Sequence, residues 1–218
     1  MSEQPEFSKE YLCAQLRRDY GWRIDRQMNF SQTMLIFQAA HRIDQFIETY
    51  LPGVNSTEWI KKHTRGLKIH LAGFPQRTIS LLCRQETSIV FPYRDIWLIK
   101  DFETKNGLYH LVHEIGHVVD NFSSKYKLAT FWGSGYADRL NKKCGGTPVG
   151  LRFSNQASRL PKRHQFSATY QAGYGNTASA EYFAEVFATS VFQKDQLPNP
   201  EVFKYLIDVL SDFKGDRF

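Results

Sequence analysis

Apolar residues recur at helical spacing over 8–20 and again over 31–50, where Met34, Phe37, Ile43, Phe46, Ile47 and Tyr50 form a stripe that stops at Pro52-Gly53. Leu67-Lys68-Ile69-His70-Leu71 alternates apolar and polar positions, as a strand with one buried face does. Ser88 to Phe91 and residues 96–99 are short β-prone runs set off by Pro92 and Asp95. Helical patterning returns at about 107–122, 177–193 and 201–213. The pattern predicts an α+β fold with N-terminal helices, a small mixed sheet of three or four strands, and helices after it. One domain is expected over 1–218, in four parts: a helical part (1–60), a sheet with a long helix (61–122), a long basic loop region (123–176), and two closing helices (177–218).

Composition narrows the class. The chain has 218 residues, 42% hydrophobic, 15% aromatic and 23% charged, which excludes disorder, collagen and coiled coil. A chain of this length buries roughly 70% of its unfolded surface, so its core needs no structural metal. No apolar run reaches the ~18 residues of a membrane span, and no membrane partner is expected. The N-terminal segment lacks the apolar stretch of a signal peptide, so the expected location is cytoplasmic, or secreted if a leader precedes the sequence. Cys13, Cys83 and Cys144 are too scattered for a disulfide framework or a CxxC zinc site, which fits free thiols in a reducing compartment.

The sharpest chemical signal is His113-Glu114-Ile115-Gly116-His117, an HExxH motif inside the 107–122 helix. Imidazoles at i and i+4 stack on one helix face about 5–6 Å apart at Cβ, which lets both reach one zinc ion. Chance supplies such a motif in about 1% of scrambled chains of this composition. On a wheel at ~100° per residue, Leu108, Leu111, Val112, Ile115 and Val119 cluster on one side, with His113 and His117 nearly opposite. His110 shares the histidine face and reads as packing or as support behind the site. Asp120, a turn beyond His117, reads either as a carboxylate accepting a ring N–H or as an ordinary exposed residue.

Catalytic zinc takes three protein ligands and water, so a third ligand is sought. In the 177–193 helix, Ala180, Phe183, Ala184, Phe187, Ala188 and Val191 make an apolar stripe with Glu181 and Glu185 at its border. The pair reads either as a ligand with a carboxylate behind it or as two acids favouring the helix dipole.

HEIGHVVD followed by EYFAEVF resembles the gluzincin metallopeptidases of the anthrax toxin lethal factor type, which include the Pro-Pro endopeptidases. The resemblance covers roughly residues 96–192 and implies a zincin-like metallopeptidase domain, with HExxH on the active-site helix and the third ligand on the C-terminal helix. It implies His113, His117 and Glu181 as Zn2+ ligands, Glu114 as general base, and Glu185 as the carboxylate orienting a ligand histidine. The family's tyrosine seven positions before the ligand Glu falls on Tyr174, with Tyr170 as the alternative, and would donate to the developing oxyanion. The implied activity is zinc-dependent endopeptidase, in which Glu114 activates a zinc-bound water against a peptide or protein substrate. A ligand set of two His and one carboxylate favours zinc, although cobalt or iron would also fit it. The run at residues 95–99 reads either as an edge strand that pairs with an extended peptide or as a plain core strand.

Lys plus Arg is 28 and Asp plus Glu is 22, a net charge of +6. The excess lies between Asp138 and Glu181, where Arg139, Lys142, Lys143, Arg152, Arg159, Lys162 and Arg163 face no intervening carboxylate. The segment 139–163 reads as a solvated loop, as a cleft wall selecting acidic peptides, or as a nucleic-acid surface. The sparse aromatics among the charges (Trp132, Phe153, Phe166) disfavour the last. A function from another class, a catalytically silent zinc-containing binding domain, is opposed by Glu114, since a structural site has no use for a base beside the metal. A DNA-associated zinc protease is allowed by the charge and disfavoured by the EYFAE helix.

Overall fold

The computed structural model describes residues 8–71, 88–91, 95–100, 102–104, 106–122, 135–145, 179–197 and 199–211. Helix α1 (Lys9–Gln15) starts at Ser8, whose hydroxyl accepts the Tyr11 N–H, and runs into a π turn over Leu16–Tyr20. That turn ends at Gly21, whose φ of 73° suits a residue without Cβ. Helix α2 (Phe30–Tyr50) opens on a capping box in which Asn29 and Gln32 each accept the other's backbone N–H. Its buried stripe is Ile36, Ala39, Ala40, Ile43, Phe46 and Ile47. The buried stripe is rotated from the expected one: Met34, Phe37 and Tyr50 are half-buried at its flanks, and Ala39 and Ala40 take part in it.

Among the described residues the sheet has four strands, β1 (Arg23–Ile24), β2 (Lys68–Leu71), β3 (Ser88–Phe91) and β4 (Asp95–Leu98), in the order β1-β2-β4-β3. β1, β2 and β4 run parallel and β3 is antiparallel to β4, so the sheet is mixed, as the pattern predicted. Ile69, Ile96 and Leu98 are buried in the core. On the opposite face His70 stacks on Trp97, ring centres 4.3 Å apart, with its Nε2 2.6 Å from Asp95 Oδ1. The edge-strand reading of residues 95–99 is corrected: β4 is flanked by β2 and β3, and among the described strands β1 and β3 lie at the edges.

Short elements escaped the periodicity reading. β1 is two residues long, and α3 (Ser56–His63) is short but capped by Asn55, which accepts the Glu58 N–H. A 3-10 turn (Phe102–Thr104) then leads into α4 (Gly107–Phe122). Only glycine fits at 107, since a Cβ there would lie 1.9 Å from the Phe102 carbonyl oxygen. Helices α5 (Tyr136–Lys143), α6 (Ser179–Gln193) and α7 (Pro200–Ser211) follow. The expected starts and ends at 177 and 213 lie outside the described residues. One hydrophobic cluster joins Leu16 of the π turn to Leu210 of α7, with α6 packed on α4 at its centre. The architecture is α+β. Among the described residues no helix is long and apolar enough to cross a membrane.

A buried polar brace ties α3 to α5. His63 is 1% exposed, its Nδ1–H donates to the Trp59 carbonyl at 2.7 Å, and its Nε2 accepts from the Tyr136 hydroxyl at 2.9 Å. Burial pulls the imidazole pKa from 6.5 down to about 4, against the Trp59 carbonyl, which favours the charged form. The folded state thus binds fewer protons than the unfolded state between these values. Stability is full above about pH 6.5 and is lost as pH falls towards 4, by about 3 kcal/mol over the window. Urea unfolding at about pH 7.5 and about pH 5 should show this loss, and His63→Gln should shrink the difference between the two conditions.

Candidate active site

α4 is amphipathic in sequence and still buried nearly all round. Leu111, Val112, Ile115 and Val119 enter the core, as the wheel predicted, and Val118 joins them, while Leu108 is only half-buried against it. The opposite side is not solvent: His113 is only 6% exposed because α6 lies across it. Gly116 permits this approach, since a Cβ there would sit 3.2 Å from Ala184 Cα and 3.3 Å from Phe187 Cδ1. The glycine of the HExxH motif thus sets the spacing of the two helices.

His113 and His117 bring their Nε2 atoms to 3.2 Å from each other, with the rings crossed at 82°. Two imidazoles bound to one tetrahedral zinc at about 2.0–2.1 Å would hold these nitrogens about 3.3–3.4 Å apart. The separation of the pair is close to that of two imidazoles sharing one metal. Glu114, between them in sequence, is half-buried on the same helix.

Behind His113 stands Glu185, 5% exposed, its Oε1 3.5 Å from His113 Nδ1. Its other oxygen, Oε2, accepts the Tyr109 hydroxyl at 2.7 Å, and Tyr109 lies 3.0 Å from the Thr189 hydroxyl. Glu185 is thus no exposed acid serving the helix dipole. It is a buried carboxylate directed at a histidine of the motif. His110, half-buried beside them, has its pKa lowered by burial, and the neighbouring His113 adds to the effect.

α4 and α6 run antiparallel in a steady register. Tyr109 meets Thr189 and, four residues on, His113 meets Glu185, four residues back. The next step of four sets position 181 level with His117, on the same face of α6 as Glu185. The Glu181 side chain itself lies outside the described residues, as do Tyr174 and its alternative Tyr170. Among the described residues no three His, Cys, Asp or Glu side chains gather as a metal set; the two imidazoles supply two donors.

Asp120 is not the exposed residue that one reading allowed. It is 1% exposed and accepts the Ala137 N–H at 2.8 Å, which caps α5 where Gly135 offers no side chain. Burial pushes its carboxyl up to about 7, opposed by the α5 N–H groups and by His117. Asp120 therefore anchors α5 against the end of the site helix while lying close enough to His117 to feel its charge.

Part of the basic region is this same helix. Arg139 lies over the Tyr136 ring, and Lys143 pairs with Asp208 of α7 at 3.0 Å. Residues 146–163 lie outside the described residues. Sequence reasoning passed over Tyr109 and Thr189, each one turn from a residue it had singled out. An i, i±4 search around His113 and Glu185 would have found both. Searches of protein-family models, curated proteins and solved structures find no significant match to the chain.

Proposed function

We propose that this chain is a zinc-dependent endopeptidase with a zincin-like, gluzincin-type site. The observation that carries the reading is the helix register: converging His113 and His117 on α4, Glu185 behind His113, and position 181 level with His117 on α6. His113, His117 and Glu181 would hold the zinc, two nitrogens and a carboxylate being a donor set suited to it. When bound, zinc supplies Lewis acidity, lowering the pKa of water towards about 7 and polarising the scissile carbonyl. Glu114 takes a proton from the attacking water and returns it to the leaving amine. Glu185 holds the His113 ring so that Nε2 faces the site. Tyr174, by resemblance to the family, donates to the developing oxyanion, with Tyr170 as the alternative. The substrate is a peptide or protein, and a reducing compartment suits the buried, reduced Cys144.

Zinc retention tests the ligand set. After zinc loading and dialysis against a weak chelator, the wild type and Glu114→Ala keep stoichiometric zinc, while His117→Ala and Glu181→Ala lose it. Equal retention in Glu181→Ala removes Glu181 from the metal and with it the register argument.

A further inference from the structure

The site reading uses Glu185 but leaves unexplained how a carboxylate 5% exposed between two helices keeps one orientation. A lone Glu has three rotatable bonds and two equivalent oxygens, and it would present either oxygen to His113. Here the two oxygens are distinguished. Oε2 is taken by the Tyr109 hydroxyl at 2.7 Å, which leaves Oε1 facing His113 Nδ1 at 3.5 Å, an ion-pair contact longer than a hydrogen bond.

The proton order along this line follows from donor capacity. A tyrosine hydroxyl carries one proton, and beside a carboxylate acceptor that proton goes to Glu185. The 3.0 Å contact between Tyr109 and Thr189 is therefore made by the threonine hydroxyl donating to the tyrosine oxygen. Thr189, 2% exposed, is one turn from Glu185, and Tyr109 is one turn from His113. All four groups sit at consecutive turns of the antiparallel pair, and each donor along the chain polarises the next.

We infer that Tyr109, supported by Thr189, is a positioning residue that sets the tautomer of His113. With Oε2 occupied, the negative Oε1 facing Nδ1 favours the ring proton on Nδ1, and the 3.2 Å contact between the two Nε2 atoms is then His117 Nε2–H donating to the His113 Nε2 lone pair. Without the Tyr109 hydroxyl, the carboxylate rotates to recover a donor for Oε2, and the Nε2–H tautomer becomes accessible. That tautomer cannot bind a metal through Nε2. The inference rests on the zinc reading for its consequence, whereas the tautomer itself is a property of the metal-free protein.

The test is nitrogen-15 NMR of histidine-labelled, metal-free protein at about pH 8, where imidazole is neutral, followed by addition of zinc chloride. In the wild type His113 shows the Nδ1–H pattern. In Tyr109→Phe a measurable share of Nε2–H appears, and the zinc dissociation constant rises about tenfold, the lower end of the effect of losing such outer partners. Thr189→Val shifts both readouts in the same direction by less, and it serves where Tyr109→Phe fails to fold. In the Glu185→Gln background, Tyr109→Phe adds little, because the tyrosine acts through that carboxylate. A His113 spectrum identical in wild type and Tyr109→Phe overturns the inference and leaves the zinc reading intact. A wild type whose His113 and His117 signals ignore zinc overturns the zinc reading, while the metal-free tautomer comparison still judges Tyr109.

Discussion

Replacing Glu114 with Gln is expected to lower turnover on any peptide the protein cleaves by about 10³-fold, about 4 kcal/mol in the barrier, the range associated with loss of a general base. The side-chain volume is unchanged and Glu114 is half-buried on a helix whose core contacts come from other residues, so folding and zinc content should stay at wild-type levels. Loss confined to kcat, with KM nearly constant, marks a group that acts only in the transition state. A Glu114→Gln protein that keeps its turnover would leave the base unidentified.

The second large effect belongs to Gly116→Leu. At this position a single Cβ already lies 3.2 Å from the Ala184 backbone and 3.3 Å from Phe187. Gly116→Ala sets a helix-propensity gain of about 1 kcal/mol against a displacement of a few tenths of an ångström, and is expected to be close to neutral. Leucine adds three more carbons where there is no volume for them and forces α4 from α6, at about 3 kcal/mol by the usual cost of overpacking. The urea midpoint should fall accordingly. Because the proposed site draws on both helices, zinc retention is expected to fall with it, even under conditions where the protein remains folded. Equal midpoints for Gly116→Ala and Gly116→Leu would mean that the helix spacing is not fixed by this glycine.

Long periodic segments were legible because their buried faces repeat at the period of the backbone. α2, α4, α6 and α7 follow from helical patterning that an isolated chain displays, and one strand of the sheet from alternation at 67–71, whereas the parallel pairing of β1, β2 and β4 was not signalled. Short elements escaped for an equally physical reason: β1 contributes two residues and α3 and α5 eight each, too few for a period to emerge. Their cues were local, the Asn55 cap for α3 and the spacing of Tyr136, Ala137, Leu140 and Cys144 for α5. In the site, the spacing of HExxH identified the facing imidazoles, and Glu185 lies on the helix that covers His113. What the sequence withheld was depth. A wheel drawn for one helix treats the face opposite the core as solvent, and the second helix that covers His113 is a tertiary fact. The burial of Asp120, its use as a cap for α5, and the Tyr109–Glu185 contact all depend on that packing.

The most direct measurement is cleavage of a mixed peptide library by zinc-loaded protein, read by mass spectrometry, with chelator-treated protein and Glu114→Gln alongside. Cuts that appear with zinc and vanish in both controls are the predicted result, and the residues flanking the cut bonds define the preference of the cleft. An uncut library in the presence of protein that holds stoichiometric zinc would contradict the peptidase and favour a zinc-containing binding domain in its place.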